Sequence, residues 1–333
     1  MYDYAEGAHP EILRALERTN LIQQFGYGED EYCLAASEMI KKEIDFSNAE
    51  IQFVSGGTLA NLIVISSALR PYESVIAAKT GHISIHEAGA IEYTGHKIHE
   101  VETDEGKIRI ENIEEVLAMN TDEHCVIPKM VYISNATELG SIYTKNELKE
   151  LHEFCVKNDL ILYMDGARLG TALTSKMRDL GMSDLKDYVD VFYIGGTKNG
   201  ALLGEAIVWF NESLRSNIRH SIKQKGGLLA KGRLLGIQFQ ELFRDGLFYK
   251  LATHANNMAE LLYDGMRSKG YEFIVKPESN MIFPILSDKL IDKLHEKFLF
   301  YKWKQIDNES SIARLVTSWA TEEKMIKFFL QCI

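Results

Sequence analysis

The sequence has little cysteine or proline, no long apolar run and no excess of positive charge. The four cysteines, Cys33, Cys125, Cys155 and Cys332, are far apart in 333 residues, and none shares the CxxC spacing of a zinc or redox motif. A chain of this length buries a large core without staples, so the cysteine usage points to free thiols and a reducing, cytoplasmic setting. Five prolines leave no Pro-rich linker, and no low-complexity tract or internal repeat is present. No apolar run approaches the ~20 residues that span a bilayer. The acidic opening "MYDYAEGAHPEILRALERTN" lacks the apolar core of a signal peptide. The net charge of −11 argues against nucleic acid as a partner and against attraction to an anionic membrane.

What is present is ordinary globular composition, 46% hydrophobic and 26% charged. From about residue 50, apolar runs alternate with amphipathic stretches. "AEIQFVSGG" reads as a strand stopped by glycines, and "TLANLIVISSAL" as the helix that follows. "ESVIAA", "KMVYISN", "LILYMDG", "VDVFYIGG" and "EAIVWF" read as further strands. "HISIHEAGAIEYTG" suits one helix ending in Gly95. "TKNELKELHEFCVKND" predicts a helix with Thr144 as N-cap and Glu147 three residues on, a capping box. Strands alternating with helices predict an α/β fold with a mostly parallel sheet covered on both faces. After about residue 235 the pattern turns to long helices and then short strand-like segments. The expected division is an N-terminal arm and helix over 1–40, a large domain over 41–235 and a small α+β domain over 236–333.

In such sheets ligands sit beyond the carboxyl ends of the strands, and three groups fall there. "SGGTLAN" is a glycine turn feeding a helix, whose free N–H groups favour a phosphate. It is neither GxGxxG nor a P-loop, and its plainer reading is a strand–helix turn. "MDGAR" ends a strand at Asp165 with Arg168 three residues on; the plainer reading is an N-cap and a surface arginine. "GGTKNG" sets Lys198 between two strands, where most lysines are simply solvated. Taken together, the three fit pyridoxal phosphate. The lysine holds the aldehyde as a Schiff base, the aspartate keeps the pyridine nitrogen protonated, and the glycine turn takes the phosphate.

Over nearly its whole length the chain resembles the threonine aldolase and β-eliminating lyase family of fold type I pyridoxal phosphate enzymes. The marks are "GYGEDEY", "SGGTLANLIV", "GHISIHEAGA", "YMDGARLG", "GGTKNG" and "ARLVTSWAT". The likeness is greatest to the low-specificity L-threonine aldolase branch. It implies cleavage of L-threonine, L-allo-threonine and related β-hydroxy amino acids to glycine and an aldehyde. It assigns Lys198 to the Schiff base, Asp165 to the pyridinium, and Gly57 and Thr58 to the phosphate. His82 stacks on the ring and assists proton transfer. Arg168 stands near the cofactor's phenol oxygen and the substrate carboxylate, and Arg314 clamps that carboxylate. Thr197 replaces a frequent serine before the lysine. Lys231 falls where the family supplies a basic residue to the phosphate, and Tyr27 where a tyrosine reaches the site, often across a subunit boundary. A homodimer or homotetramer is therefore implied.

The sequence departs from the family in two places. The N-terminal Ser-Asp of many members is here Tyr2-Asp3. Where typical members carry Asn-Thr-His-Asn-Gly, this chain reads "NATELG", with Glu138 at about the histidine's place. Glu138 is then either a proton acceptor near the substrate hydroxyl or a solvent-facing residue that leaves the task to His82. His82 and His86 stand one helical turn apart, yet this is not HExxH and no third ligand stands nearby, so no metal is expected. His86 reads as a wall residue and Glu87 as support. The lysine, aspartate and phosphate turn do not separate an aldolase from a β-eliminating enzyme, an aminotransferase or a silent cofactor-binding protein on the same fold.

Overall fold

Alternation of apolar residues on both faces builds the main sheet. In the strand Val191–Gly195, Phe192 and Ile194 pack into one core while Val191 and Tyr193 pack into another. The strand Ile127–Ser134 does the same with Val131 and Ile133 against Met130 and Tyr132. A strand buried on both faces belongs inside a covered sheet, and the two cores are its two helical coats. The structure, a computed structural model, describes residues 2–333.

Seven strands form this sheet: β1 (Glu50–Val54), β2 (Glu73–Ala78), β3 (Ile98–Val101), β4 (Ile127–Ser134), β5 (Ile161–Asp165), β6 (Val191–Gly195) and β7 (Glu205–Trp209). Their order is β1-β7-β6-β5-β4-β2-β3. The pairs from β3 through β6 are parallel, and β7 runs antiparallel to both β6 and β1. Only β7 is therefore reversed, and the carboxyl ends of β1, β2, β4, β5 and β6 share one edge. A second, antiparallel sheet is built from β8 (Met281–Ile282), β9 (Ile285–Ser287), β10 (Tyr301–Gln305) and β11 (Ser310–Val316), with β11 pairing all three others. The fold is thus α/β, as the alternation predicts.

The helix Gly57–Ala68 follows β1, and Lys145–Lys157 carries the predicted capping box at Thr144 and Glu147. One expectation fails. "HISIHEAGAIEYTG" is not one helix but two short ones, His82–Ile85 and Ala90–Tyr93. Ala88 at φ 52° and Gly89 at φ 73° break the run between them. The first helix already ends at its C-cap, His86, and Glu87 leaves its path to lie beside His82, whose Nδ1 is 2.8 Å from Glu87 Oε1; a continuous helix does not bring residues five apart into such contact.

Candidate active site

Five co-directional strands each deliver residues to one edge of the sheet. β1 leads to Gly57, β2 to His82, β4 to Glu138, β5 to Asp165 and Arg168, and β6 to Lys198. The turns after β5 and β6 lie so close that a Cβ on Gly195 would sit 2.3 Å from the Ala167 carbonyl oxygen. Glycine permits that approach and brings the Asp165 and Lys198 turns side by side. His82, Glu138, Arg168, Lys198 and Arg314 line a single cleft of about 540 Å³. Its outer wall is Tyr4, Ile85, His86, Tyr301, Lys302 and Trp303.

Lys198 is partly buried, and its amine has no hydrogen-bond partner among the described residues. Its Nζ lies 5.9 Å from the centre of the Tyr4 ring. Burial and then the Arg168 charge lower its pKa below the ordinary lysine value. A lowered pKa favours the free amine, the form that attacks an aldehyde. Beside it Glu205 is buried, and burial pushes its carboxyl up to about 8, against the opposing effects of the Thr197 hydroxyl and Lys198.

Asp165 is fixed from three sides. One oxygen accepts from the Ala167 amide at 2.9 Å, and the other from the Tyr132 hydroxyl at 2.6 Å with the Asn61 amide at 3.5 Å. Asn61 in turn accepts from the Tyr163 hydroxyl at 2.7 Å and donates to Glu87 at 2.7 Å. Burial, and then the Asp165 charge, hold the Tyr132 phenol well above its usual pKa, so it remains a donor. Neighbouring strands β4, β5 and β6 each carry a buried tyrosine two residues before their last, Tyr132, Tyr163 and Tyr193. The Tyr193 hydroxyl would meet a Cβ at Gly57 at 3.0 Å, which explains the glycine there.

The two arginines differ in their partners. Arg168 Nε and Nη2 donate to the two oxygens of Asp3 at 2.6 and 3.0 Å, a bidentate pair, and Asn280 donates to Asp3 at 3.1 Å. Burial alone would raise the Asp3 pKa, but the Arg168 and Lys198 charges outweigh it and leave it at about 2. Arg314 has no carboxylate partner among the described residues. Its Nη2 lies 3.2 Å from Met281 Sδ, its guanidinium 5.1 Å from the Trp303 ring centre, and its Nε is buried without a partner. Burial, then the Arg168 charge, lower its pKa to about 10.

Glu138 does not face bulk solvent. It is buried, with Oε1 accepting from the Ser134 hydroxyl at 2.8 Å and from the His82 amide at 3.1 Å. Burial first, and then the Asp165 charge, raise its pKa. His82 directs Nδ1 to Glu87, which leaves Nε2 for the cleft.

Other expected residues lie elsewhere. Thr58 is exposed at the first turn of the helix Gly57–Ala68, next to Gly57. The Thr197 hydroxyl accepts from the Gly204 amide at 3.0 Å, bracing the Lys198 turn. Tyr27 and Lys231 are exposed and do not line the cleft of their own chain. They share a surface loop cluster, where the Tyr27 amide donates to the Ala230 carbonyl at 3.3 Å. Sequence reasoning gave no role to Asp3, Asn61, Tyr132 or Glu205. The repeated tyrosine two residues before the ends of β4, β5 and β6 was a usable signal for Tyr132; Asp3 stands where many family members carry Ser-Asp, but nothing local tied it to a partner 165 residues away.

The groups gathered here fit pyridoxal phosphate. A lysine amine without a partner suits the aldehyde, and the fixed Asp165 carboxylate suits a protonated ring nitrogen. The helix Gly57–Ala68 begins at Gly56 with no side-chain cap, so its first N–H groups are open to an anion.

A family model described as beta-eliminating lyase matches residues 8–289. A low specificity L-threonine aldolase of a Pseudomonas species is 34% identical over 98% of this chain and 94% of its own length. The solved structure of a threonine aldolase of Leishmania major is 46% identical, with a TM-score of 0.98 over 99% of this chain and 97% of that one. An aromatic aminotransferase of Pyrococcus horikoshii, 17% identical with a TM-score of 0.73, shares the fold.

Proposed function

The chain belongs to the beta-eliminating lyase family, and from that premise we propose that it is a pyridoxal phosphate-dependent aldolase. Its substrates are L-threonine, L-allo-threonine and related β-hydroxy amino acids, split into glycine and an aldehyde. One observation carries the reading: Lys198 and Asp165 end neighbouring strands beside a cleft whose far wall holds an arginine without an anion. The likeness to L-threonine aldolases over almost the whole chain supports this choice of reaction within the family.

When bound, the cofactor supplies a sink for the electron pair released at Cα. Lys198 would carry its aldehyde covalently, Asp165 would face its ring nitrogen, and Gly57, Thr58 and their helix N-terminus would hold its phosphate, joined by Lys231 of a neighbouring subunit. His82 would stack on its ring. Arg314 takes the substrate carboxylate, a task suited to a guanidinium fork. Arg168 has its Nε edge committed to Asp3, so only its remaining nitrogen is free for the cleft. Fixing the carboxylate selects which bond at Cα breaks. Glu138 takes the proton from the β-hydroxyl, since its Oε2 is not engaged by the groups that hold Oε1. His82, held by Glu87, lies beside it as a second proton carrier.

Product identity tests the proposal. Purified protein with pyridoxal phosphate and L-threonine should release glycine and acetaldehyde in equal amounts. Release of 2-oxobutyrate and ammonia would make it a β-eliminating enzyme, dependence on a keto acid acceptor an aminotransferase, and no product a silent binder.

A further inference from the structure

The strand β10, "YKWKQ", is exposed along its length except at Trp303. A regular strand sends neighbouring side chains to opposite faces. Here Tyr301, Lys302 and Trp303 all line the cleft. The register explains it. Lys302 pairs with Ala313 and Lys304 with Ile312, so Trp303 is an extra residue with no partner on β11. Tyr301 and Trp303 share a face by ordinary alternation, and the bulge lets Lys302 reach the same cleft.

The indole meets Arg314. The guanidinium carbon lies 5.1 Å from the ring centre, within cation–π range. Phe283 packs edge-on against the far side of the tryptophan at 5.9 Å, and His86 lies at 6.4 Å. Most arginines in partly buried sites are held by a carboxylate. Arg314 is held instead by an aromatic face and by Met281 Sδ at 3.2 Å. These supports fix its direction but leave its charge uncompensated. A ligand carboxylate then binds without displacing an internal anion.

We propose that Trp303 is a positioning residue for substrate binding: its indole, at the β10 bulge, lies against Arg314 and aims that guanidinium at the carboxylate of the amino acid. The inference rests on the reading that Arg314 is the carboxylate clamp, and the test separates the two. It does not touch the proton transfer or the bond-breaking groups. Loss of the indole should therefore weaken binding more than it slows turnover.

The test uses the holoenzyme with three substitutions, Trp303→Leu, Trp303→Phe and Arg314→Lys. KM and kcat are measured for L-threonine, glycine binding by calorimetry, and unfolding by thermal melt. Trp303→Leu should raise KM and the glycine Kd roughly tenfold, the scale of a partly desolvated cation–π contact. Its kcat should fall by less than its KM rises, and its melting temperature should hardly move. Trp303→Phe keeps an aromatic face and should restore most of the affinity. Arg314→Lys loses the fork and should raise both constants further. If Arg314→Lys raises them and Trp303→Leu does not, the positioning role is wrong while the clamp stands. If Arg314→Lys changes neither, the clamp itself is wrong and the inference falls with it. A Trp303→Leu variant that loses kcat and melting temperature together, with KM unchanged, would make the indole a packing residue only.

Discussion

Asp165 is committed before any ligand arrives. Tyr132 and the Ala167 amide hold its two oxygens, and both donors are buried or backbone. An Asp165→Asn substitution keeps the shape and removes the charge, so the ring nitrogen it would face loses its proton. The protein should remain folded and retain cofactor, with the loss falling on kcat; an Asn variant of normal turnover would leave Asp165 a structural cap. Glu138 is the opposite case, a carboxylate whose charge is disfavoured. Burial, and then Asp165, raise its pKa. If its ionised form is the base, activity falls on the acid side with a midpoint above the ordinary carboxylate range. Glu138→Gln should then remove that limb and cut retro-aldol turnover by on the order of 10²-fold. Unchanged rate and pH profile in the Gln variant would return the role to His82.

At the level of elements, the N-terminal segment ties distant parts together. Asp3 joins Arg168, just after β5, to Asn280, just before β8. Removing one partner of a buried ion pair costs roughly 3–5 kcal/mol, because the other charge is left unpaired. Asp3→Asn should lose stability on that scale in urea unfolding at neutral pH. The Asp3 pKa is depressed to about 2, so the pair's contribution is full above the ordinary aspartate value of ~4 and fades as pH falls through the folded value. The gap between wild type and variant should narrow over that acid window; a gap that is constant with pH would deny the ion pair its role. How far such features are legible in sequence depends on range. The Thr144 capping box and six of the seven strands of the main sheet rest on neighbours in the chain and are read correctly; the short edge strand β3 is missed. The helix expected from His82 to Gly95 fails because apolar periodicity does not register the positive φ at Ala88. The Lys198, Asp165 and glycine-turn trio is legible because all three end strands. Asp3 and the Trp303 bulge are not, since each is defined by a partner far along the chain or across a register shift.

For the whole molecule, one chain leaves apolar side chains uncovered in the loop 20–30 and at the start of the helix Glu31–Glu43. Leu21 is 93% exposed, Phe25 79% and Leu34 60%, beside Tyr27 and the loop of Lys231. Exposed apolar side chains of this kind are what a subunit contact would cover. Tyr27 and Lys231 do not reach their own chain's cleft, so a role in the site requires a neighbouring subunit. Light scattering should give a mass that is two or four times 37.8 kDa; a fully active monomer would contradict the shared site. The account as a whole stands on Lys198. Borohydride reduction of the cofactor-loaded protein, followed by peptide mapping, tests it most directly. The pyridoxyl group is predicted on Lys198 and on no other lysine, and Lys198→Ala should stay folded while losing both adduct and activity. An adduct on Lys231 or on any surface lysine, with Lys198 unmodified, would contradict the account.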